Sequence, residues 1–381
     1  MSQRRSPRVL FAGGGTGGHL YPALALAEAF EARDPGAEIF FLGARRGVEA
    51  RVLPERGVPH RLLSFEPIRR SRVWENWKLI PSLTSVAWGV SRTVREFRPD
   101  LIVGTGGYAS GPVVAWGILH GIPTAIQEQN SSPGLTTRWL ASRVRQLHLA
   151  FPEALEHLSP GPRTEVFELG NPIRPPDHSI GQEEARAKFG LRGTPVVLVV
   201  GGSQGAKRVN DALLRDLDRF AQDGQVQDKA GLHLLWATGP AHHERIAGEV
   251  RRLRLEDWVK PVPYIHEMTY ALAAADLAVS RAGAMALAEL CAWGIPSLLI
   301  PYPFAAANHQ YHNAKALADA GAAVMITEEE LAPGRLWSEM VTLAGDDGRR
   351  GQLAEHARER GHPDAAADIV DKLSTLIQPN Q

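Results

Sequence analysis

The chain has a single cysteine, Cys291, in 381 residues. A disulfide framework is excluded. The apolar run around it (Ala288-Glu289-Leu290-Cys291-Ala292-Trp293) marks a buried, inert thiol rather than a nucleophile. Charge of one sign is also lacking: 42 Lys and Arg balance 42 Asp and Glu. No global field draws such a chain to nucleic acid, and attraction to an anionic surface must come from a local patch. No run of about 18 apolar residues occurs, which excludes membrane-spanning helices. Residues 1–8 are basic, but only Val9-Leu10-Phe11-Ala12 follows before glycines begin, too short a core for a signal peptide.

What is present is glycine at the ends of apolar strands. The length suits two domains of roughly 150–200 residues, and 44% hydrophobic with 22% charged residues is a globular composition. Val9-Leu10-Phe11-Ala12 runs into Gly13-Gly14-Gly15-Thr16-Gly17-Gly18. An alanine- and leucine-rich helix follows over 19–30, with Pro22 in its first turn, then a strand over 38–42. This is a βαβ unit. The pattern recurs as strand 101–103, a glycine segment, a helix to about 119 and strand 123–127. Gly170-Asn171-Pro172-Ile173-Arg174-Pro175-Pro176, with no periodicity, reads as the linker. Pro195-Val196-Val197-Leu198-Val199-Val200 is apolar throughout, as a parallel strand covered on both faces must be. It leads into Gly201-Gly202-Ser203-Gln204-Gly205 and a helix from about 206. Strands over 232–238, 277–280 and 297–300, with a helix over 284–293, continue the alternation. The fold class is therefore α/β, with two doubly wound Rossmann-like domains, residues 1–170 and 171–363. They are expected to face a central cleft at the carboxyl ends of their strands.

A glycine loop before a helix leaves backbone N–H groups unblocked beside the positive end of the helix dipole, where an anion fits. Gly13, Gly15 and Gly18 match G-x-G-x-x-G, the dinucleotide fingerprint, but a lone match is weak and glycines also serve plain tight turns. The fingerprint expects an acid after the second strand to hold a ribose. That strand ends Leu42-Gly43-Ala44-Arg45-Arg46, so NAD loses weight, while the two arginines leave NADP open. His19 follows the loop directly. The dipole disfavours its protonated form, so a neutral imidazole stands where a general base is of use. A capping histidine is the plain alternative.

Seven segments then stand in one order: Gly14-Gly15-Thr16-Gly17-Gly18-His19, Gly106-Gly107-Tyr108-Ala109-Ser110-Gly111-Pro112, Glu128-Gln129-Asn130, Gly170-Asn171-Pro172-Ile173-Arg174, Gly201-Gly202-Ser203-Gln204-Gly205-Ala206, Ser280-Arg281-Ala282-Gly283-Ala284 with Glu289, and Asn308-His309-Gln310 with Asn313-Ala314. The order resembles the MurG family of bacterial glycosyltransferases, from about residue 8 to 325. The resemblance implies a GT-B fold, with a C-terminal helix at about 364–381 packing back on the first domain. It implies transfer of N-acetylglucosamine from UDP-N-acetylglucosamine to the 4-hydroxyl of the muramoyl sugar of undecaprenyl-diphospho-muramoyl-pentapeptide (lipid I). Configuration inverts, and lipid II and UDP are the products. His19 is the expected base, with Glu128 supporting or replacing it.

For the donor the resemblance implies Thr16, Gly17, Gly18, Asn130 and Arg174 (on a phosphate), and Ser203 on the diphosphate. The backbone of Ile265 would meet uracil, Glu289 the ribose hydroxyls, and His309 and Gln310 the sugar. The run Ala284, Met285, Ala286, Leu287, Ala288 leads to Glu289. Gly14, Gly15, Tyr108 and Ser110 fall on the acceptor side. There are departures. Gln127 stands where the family often has histidine, and Ala286 and Ala288 stand where serine or threonine is frequent, which leaves backbone contacts alone at those points. No DxD-type metal motif occurs in these segments; Asp346-Asp347 reads as a solvated turn or helix cap. Neither a metal nor a cofactor is expected.

A lipid-linked acceptor requires docking on a membrane. Ile68, Arg69, Arg70, Arg72, Trp74, Trp77 and Leu79 interleave cations with large apolar groups, and Trp88 extends them at near-helical spacing, as in interfacial helices on anionic phospholipid. The expected place is the cytoplasmic face of the bacterial cell membrane, as a peripheral protein. An amphipathic helix packed on the first domain is the plain reading of the same stretch. The rivals are a UDP-N-acetylglucosamine 2-epimerase-like enzyme, an NADP-dependent oxidoreductase and a non-catalytic sugar-nucleotide sensor.

Overall fold

Parallel strands covered on both faces read as near-continuous apolar runs, and Val9, Leu10, Phe11 and Ala12 are all fully buried. The computed structural model describes residues 6–65, 80–193, 195–222 and 232–377. The chain forms two compact units, Met1–Arg174 with Asp364–Gln381, and Pro175–Pro363.

The first unit runs β1 (Arg8–Ala12), α1 (Gly17–Arg33), β2 (Glu38–Ala44), α2 (Glu49–Glu55), β3 (His60–Leu63), α3 (Ile80–Phe97), β4 (Leu101–Gly104), α4 (Gly107–Leu119), β5 (Thr124–Glu128), α5 (Leu135–Leu140), β6 (Gln146–Leu149) and β7 (Glu165–Glu168). Among the described residues its seven strands are parallel in the order β3-β2-β1-β4-β5-β6-β7. The order reverses between β1 and β4, so the segments that leave those two strands meet at the switch point where ligands bind in open α/β sheets. α1 starts at Gly17, because the Thr16 carbonyl already accepts from the N–H groups of His19 and Leu20 at 3.2 Å. Pro22 therefore sits in the second turn rather than the first.

The expected linker is half anchored. The Asn171 side chain donates to the Gln129 carbonyl at 3.1 Å and accepts from Gln127 at 3.0 Å, and Ile173 is buried. The unit boundary falls after Arg174 for that reason. The chain returns to the first unit through α14 (Ala365–Thr375), whose Ile369, Val370 and Leu373 are buried in one cluster with Leu20, Ala23, Ala27 and Phe30 of α1. Each of the Ile, Val, Leu and Phe side chains among them contributes about 1.5–3 kcal/mol. Gln146 adds hydrogen bonds to the Lys372 carbonyl and the Thr375 hydroxyl.

The second unit runs α6 (Gln182–Lys188), β8 (Val196–Val200), α7 (Lys207–Gln222), β9 (His233–Ala237), α8 (Pro240–Arg252), β10 (Val259–Val262), α9 (Met268–Ala274), β11 (Leu277–Ser280), α10 (Ala284–Trp293), β12 (Ser297–Leu299), α11 (His309–Asp319), β13 (Ala323–Met325), α12 (Arg335–Gly345) and α13 (Asp347–Glu359). Among the described residues its six parallel strands follow β10-β9-β8-β11-β12-β13, with the switch point between β8 and β11. Trp236 is fully buried, and its indole N–H finds the Asn210 amide oxygen at 3.0 Å, as a buried indole requires. Asp346 caps α13, accepting from the Arg349 N–H at 2.9 Å; of the two readings of that acidic pair, the cap holds.

Candidate functional site

In the first unit the switch point gathers three glycine-bearing segments. Thr16 holds the N-cap position of α1 without a side-chain bond to the helix amides, and its Oγ1 lies 3.1 Å from His19 Nδ1. Gly106 (φ 94°) and Gly107 (φ 77°) pass beside the imidazole: a Cβ on Gly106 would stand 2.8 Å from His19 Cδ2, and one on Gly107 2.1 Å from the Gly14 carbonyl. Only glycine lets these segments close so tightly. Thr105 Oγ1 donates to the His19 carbonyl at 2.7 Å. The Tyr108 ring packs on Gly15, where a Cβ would lie 2.7 Å from it. Burial raises the Tyr108 hydroxyl pKa above its ordinary value, the Glu49 carboxylate adds to the rise, and Arg46 opposes it.

Sequence reasoning missed Glu49, which is fully buried on α2. Its oxygens accept from the Gly15 N–H at 3.0 and 2.9 Å and from the Ala44 N–H at 2.8 Å. The amide that a dinucleotide phosphate would use is thus already bonded to a protein carboxylate, and the NADP reading loses its site. The one signal for Glu49 was an acid shortly after a strand that ends without one.

Glu128 is buried, and its carboxylate accepts from the Asn130 N–H (3.2 Å) and side chain (3.3 Å), the Gly134 N–H (3.1 Å) and the Thr137 hydroxyl (2.5 Å). These bonds reach both oxygens and clamp the loop after β5. Ser110 corrects an expectation. It is fully buried in α4 under Gly104, whose Cβ would stand 2.6 Å from its hydroxyl, so it offers nothing to an acceptor. Gly17 and Gly18 lie in the first turn of α1, Gly14 is buried against Glu49, Asn130 is half-buried, and Arg174 is exposed at the end of the unit. Of the membrane patch, Ile68, Arg69, Arg70, Arg72, Trp74, Trp77 and Leu79 lie outside the described residues. Trp88 on α3 is 65% exposed.

The second unit holds a cavity of about 1100 Å³. Three helix starts border it: the loop Gly201-Gly202-Ser203-Gln204-Gly205 before α7, Gly283 before α10, and Gln310 in the first turn of α11. Aligned amides at helix starts favour an anion, and Lys207 and Arg208 stand beside them. Gly205 (φ 75°) has no room for a side chain, since a Cβ would lie 2.1 Å from the Thr238 carbonyl. The cavity brings together five of the expected donor residues: Ser203, Ile265, Ala286, Glu289 and Gln310. Ala286, Glu289 and Leu290 share the cavity face of α10 at helical spacing. Leu287 turns into the core at 1% exposure, and Ala284 is buried. Met285, Ala288 and His309 do not line the cavity; the His309 ring instead bonds the Ala306 carbonyl at 2.7 Å.

The cavity wall holds groups given no role from sequence. Arg281 donates to the Ile300 and Pro301 carbonyls at 3.0 and 3.2 Å, pairs with the buried Glu328, and lies over the Tyr302 ring. Tyr264, Tyr302 and Phe304 are the exposed large apolar side chains of this unit among the described residues, and all three line the cavity. Arg281 was visible within its glycine-bearing segment; its partner Glu328 was not, being 47 residues away. The Cys291 thiol is pushed up to about 12 by burial, which removes it from nucleophilic chemistry. Among the described residues no cluster of His, Cys, Asp and Glu is arranged to hold a metal ion, and no helix is long and apolar enough to cross a membrane.

Comparison with known proteins accounts for both units. Residues 9–149 match the glycosyltransferase family 28 N-terminal domain, and residues 196–369 match the family's C-terminal domain. A UDP-N-acetylglucosamine–N-acetylmuramyl-(pentapeptide) pyrophosphoryl-undecaprenol N-acetylglucosamine transferase of Chlorobaculum tepidum is 42% identical, over 97% of this chain and 99% of its own. The enzyme of the same name from Moorella thermoacetica is 40% identical over the same shares. Among solved structures, Acinetobacter baumannii MurG superposes with a TM-score of 0.74 at 27% identity, over 97% of this chain and 99% of that one.

Proposed function

Since the chain belongs to glycosyltransferase family 28, and within it to the MurG family, we infer that it transfers N-acetylglucosamine from UDP-N-acetylglucosamine to undecaprenyl-diphospho-muramoyl-pentapeptide. The observation that carries the donor half is the cavity of the second unit, where Ser203, Ile265, Glu289 and Gln310 surround one space. The loop and its helix start receive the diphosphate, Lys207 and Arg208 add cations, the Ile265 backbone meets the uracil and Glu289 accepts from the ribose hydroxyls. Charge grows on the departing diphosphate in the transition state. Amides already held in place there stabilise it without reorganising.

The acceptor 4-hydroxyl attacks C1 of the sugar from the face opposite UDP, so the linkage inverts from α to β. His19 takes the hydroxyl proton. That role requires Nδ1–H to donate to Thr16 Oγ1, which leaves Nε2 as the basic nitrogen. Tyr108, at the start of α4, completes the acceptor side of the first unit. The membrane-bound acceptor places the protein at the cytoplasmic face of the membrane, docked through residues 68–79 and Trp88 on anionic phospholipid.

Incubation with UDP-N-acetylglucosamine and a lipid I analogue tests the reading. A β-linked disaccharide product with one UDP per transfer is expected. Epimerised sugar formed without acceptor, or binding without turnover, overturns it. For the docking surface, changing Trp74, Trp77 and Leu79 to serine lowers sedimentation with anionic liposomes while UDP-N-acetylglucosamine still binds; unchanged sedimentation removes that part.

A further inference from the structure

A phosphate at the end of the first strand of a dinucleotide-binding βαβ unit rests on loop amides. In this chain that place is taken from the inside. Glu49 stands 34 residues from Gly15 in sequence, and its two oxygens meet the Gly15 N–H at 3.0 and 2.9 Å. The same carboxylate accepts from Ala44 at the end of β2 at 2.8 Å and has no exposed surface. The glycines around it form a cast of its side chain. A Cβ on Gly14 would stand 2.1 Å from Oε1, one on Gly47 2.1 Å from Oε2, and one on Gly43 2.7 Å from Cγ. Within the glycine-rich run this glutamate accounts for Gly14, while Gly13 packs on Thr105 and Gly15 on Tyr108.

We propose that Glu49 is a positioning residue for the transfer reaction: an internal anion that fills the phosphate place of the first glycine loop and fixes the backbone carrying Thr16 and His19. The inference rests on the reading of His19 as base. Gly15 has φ 90°, a conformation with many neighbours open to glycine. A hydrogen bond from its N–H to a buried carboxylate is charge-assisted and selects one of them. Thr16 is the next residue, at the N-cap position of α1, and its hydroxyl meets the His19 ring at 3.1 Å. Movement at Gly15 therefore reaches the imidazole through two rigid steps. A misplacement of about 1 Å in such a group costs about 10²-fold in rate.

The test uses the full chain with Glu49→Ala and Glu49→Gln, read by turnover and by hydrogen exchange of the peptides over 13–20 and 201–205. In Glu49→Ala, kcat falls about 10²-fold and exchange speeds up in 13–20 but not in 201–205. The KM for UDP-N-acetylglucosamine stays within about twofold, because the donor cavity lies in the other unit. Glu49→Gln keeps one acceptor oxygen and loses the charge, so it falls between Glu49→Ala and the parent in both readouts. The proposal is overturned by a Glu49→Gln protein indistinguishable from the parent in both, or by exchange rising equally in the two peptides, which marks a general loss of stability. If the parent itself transfers no sugar, the function reading fails instead, and the exchange comparison still decides whether Glu49 holds the loop.

Discussion

Both units carry a glycine loop between their first strand and a helix, yet one loop is filled and the other is open. In the first unit the Gly15 amide is bonded to Glu49 and the chain closes over it with Gly106 and Gly107. In the second, Gly205 packs on the backbone of Thr238, and the loop faces a cavity of about 1100 Å³. The same local pattern therefore serves two ends. On the proposal above, a loop whose anion is internal serves as a platform for a side chain, here His19. A loop whose amides face a cavity is open to a ligand anion.

The comparison is broken most sharply at His19. His19→Ala should lower kcat on the order of 10²–10⁴-fold and leave the KM for UDP-N-acetylglucosamine within about twofold; near-normal turnover in steady-state kinetics excludes it as the base. Next comes the open loop's own site. Glu289→Ala should weaken UDP binding by about 10–100-fold, the loss of hydrogen bonds to a charged acceptor, while exchange in 13–20 stays unchanged. Equal loss of both in calorimetry and exchange would show the units are not separable.

A third test separates the units by acid. His148 is fully buried on β6, and burial pushes its imidazole down to about 3 from an ordinary 6.5. Between those values the unfolded chain binds a proton that the folded one refuses. Stability is therefore full above pH 6.5 and falls as pH drops towards 3, by up to about 1.4 kcal/mol per pH unit. Urea unfolding followed in the first unit should show this slope, and His148→Leu should flatten it. The smallest effect is at Thr16. Thr16→Val removes about 1 kcal/mol of hydrogen bonding to the His19 ring and should lower kcat roughly five-fold. An unchanged pH–rate profile in that variant argues against the Nδ1–H tautomer.

Much of this contrast was legible in advance. Several strands announced themselves because parallel strands buried on both faces read as near-continuous apolar runs, as Val196-Val197-Leu198-Val199-Val200 does; β6, buried at every position but carrying Gln146 and His148, did not. β7 (Glu165–Glu168) was not legible, since its half-exposed residues carry no such run. Ser203, Glu289 and Gln310 were found through their neighbours in the chain. Ser110 was misplaced because an exposed-looking serine in a glycine-rich segment gives no hint that α4 turns it under Gly104.

By itself the amino-acid order determined the βαβ alternation, the loop positions and the residues that follow each loop, because these depend on neighbours a few positions apart. The tertiary structure alone decided what each loop holds. Glu49 reaches Gly15 only because β1 and β2 pair in parallel and bring their ends side by side, and Arg281 meets Glu328 only because β11, β12 and β13 lie in sequence across one sheet. A buried carboxylate persists where donors converge on it, and that convergence is a property of the packed sheet, not of any segment of the chain.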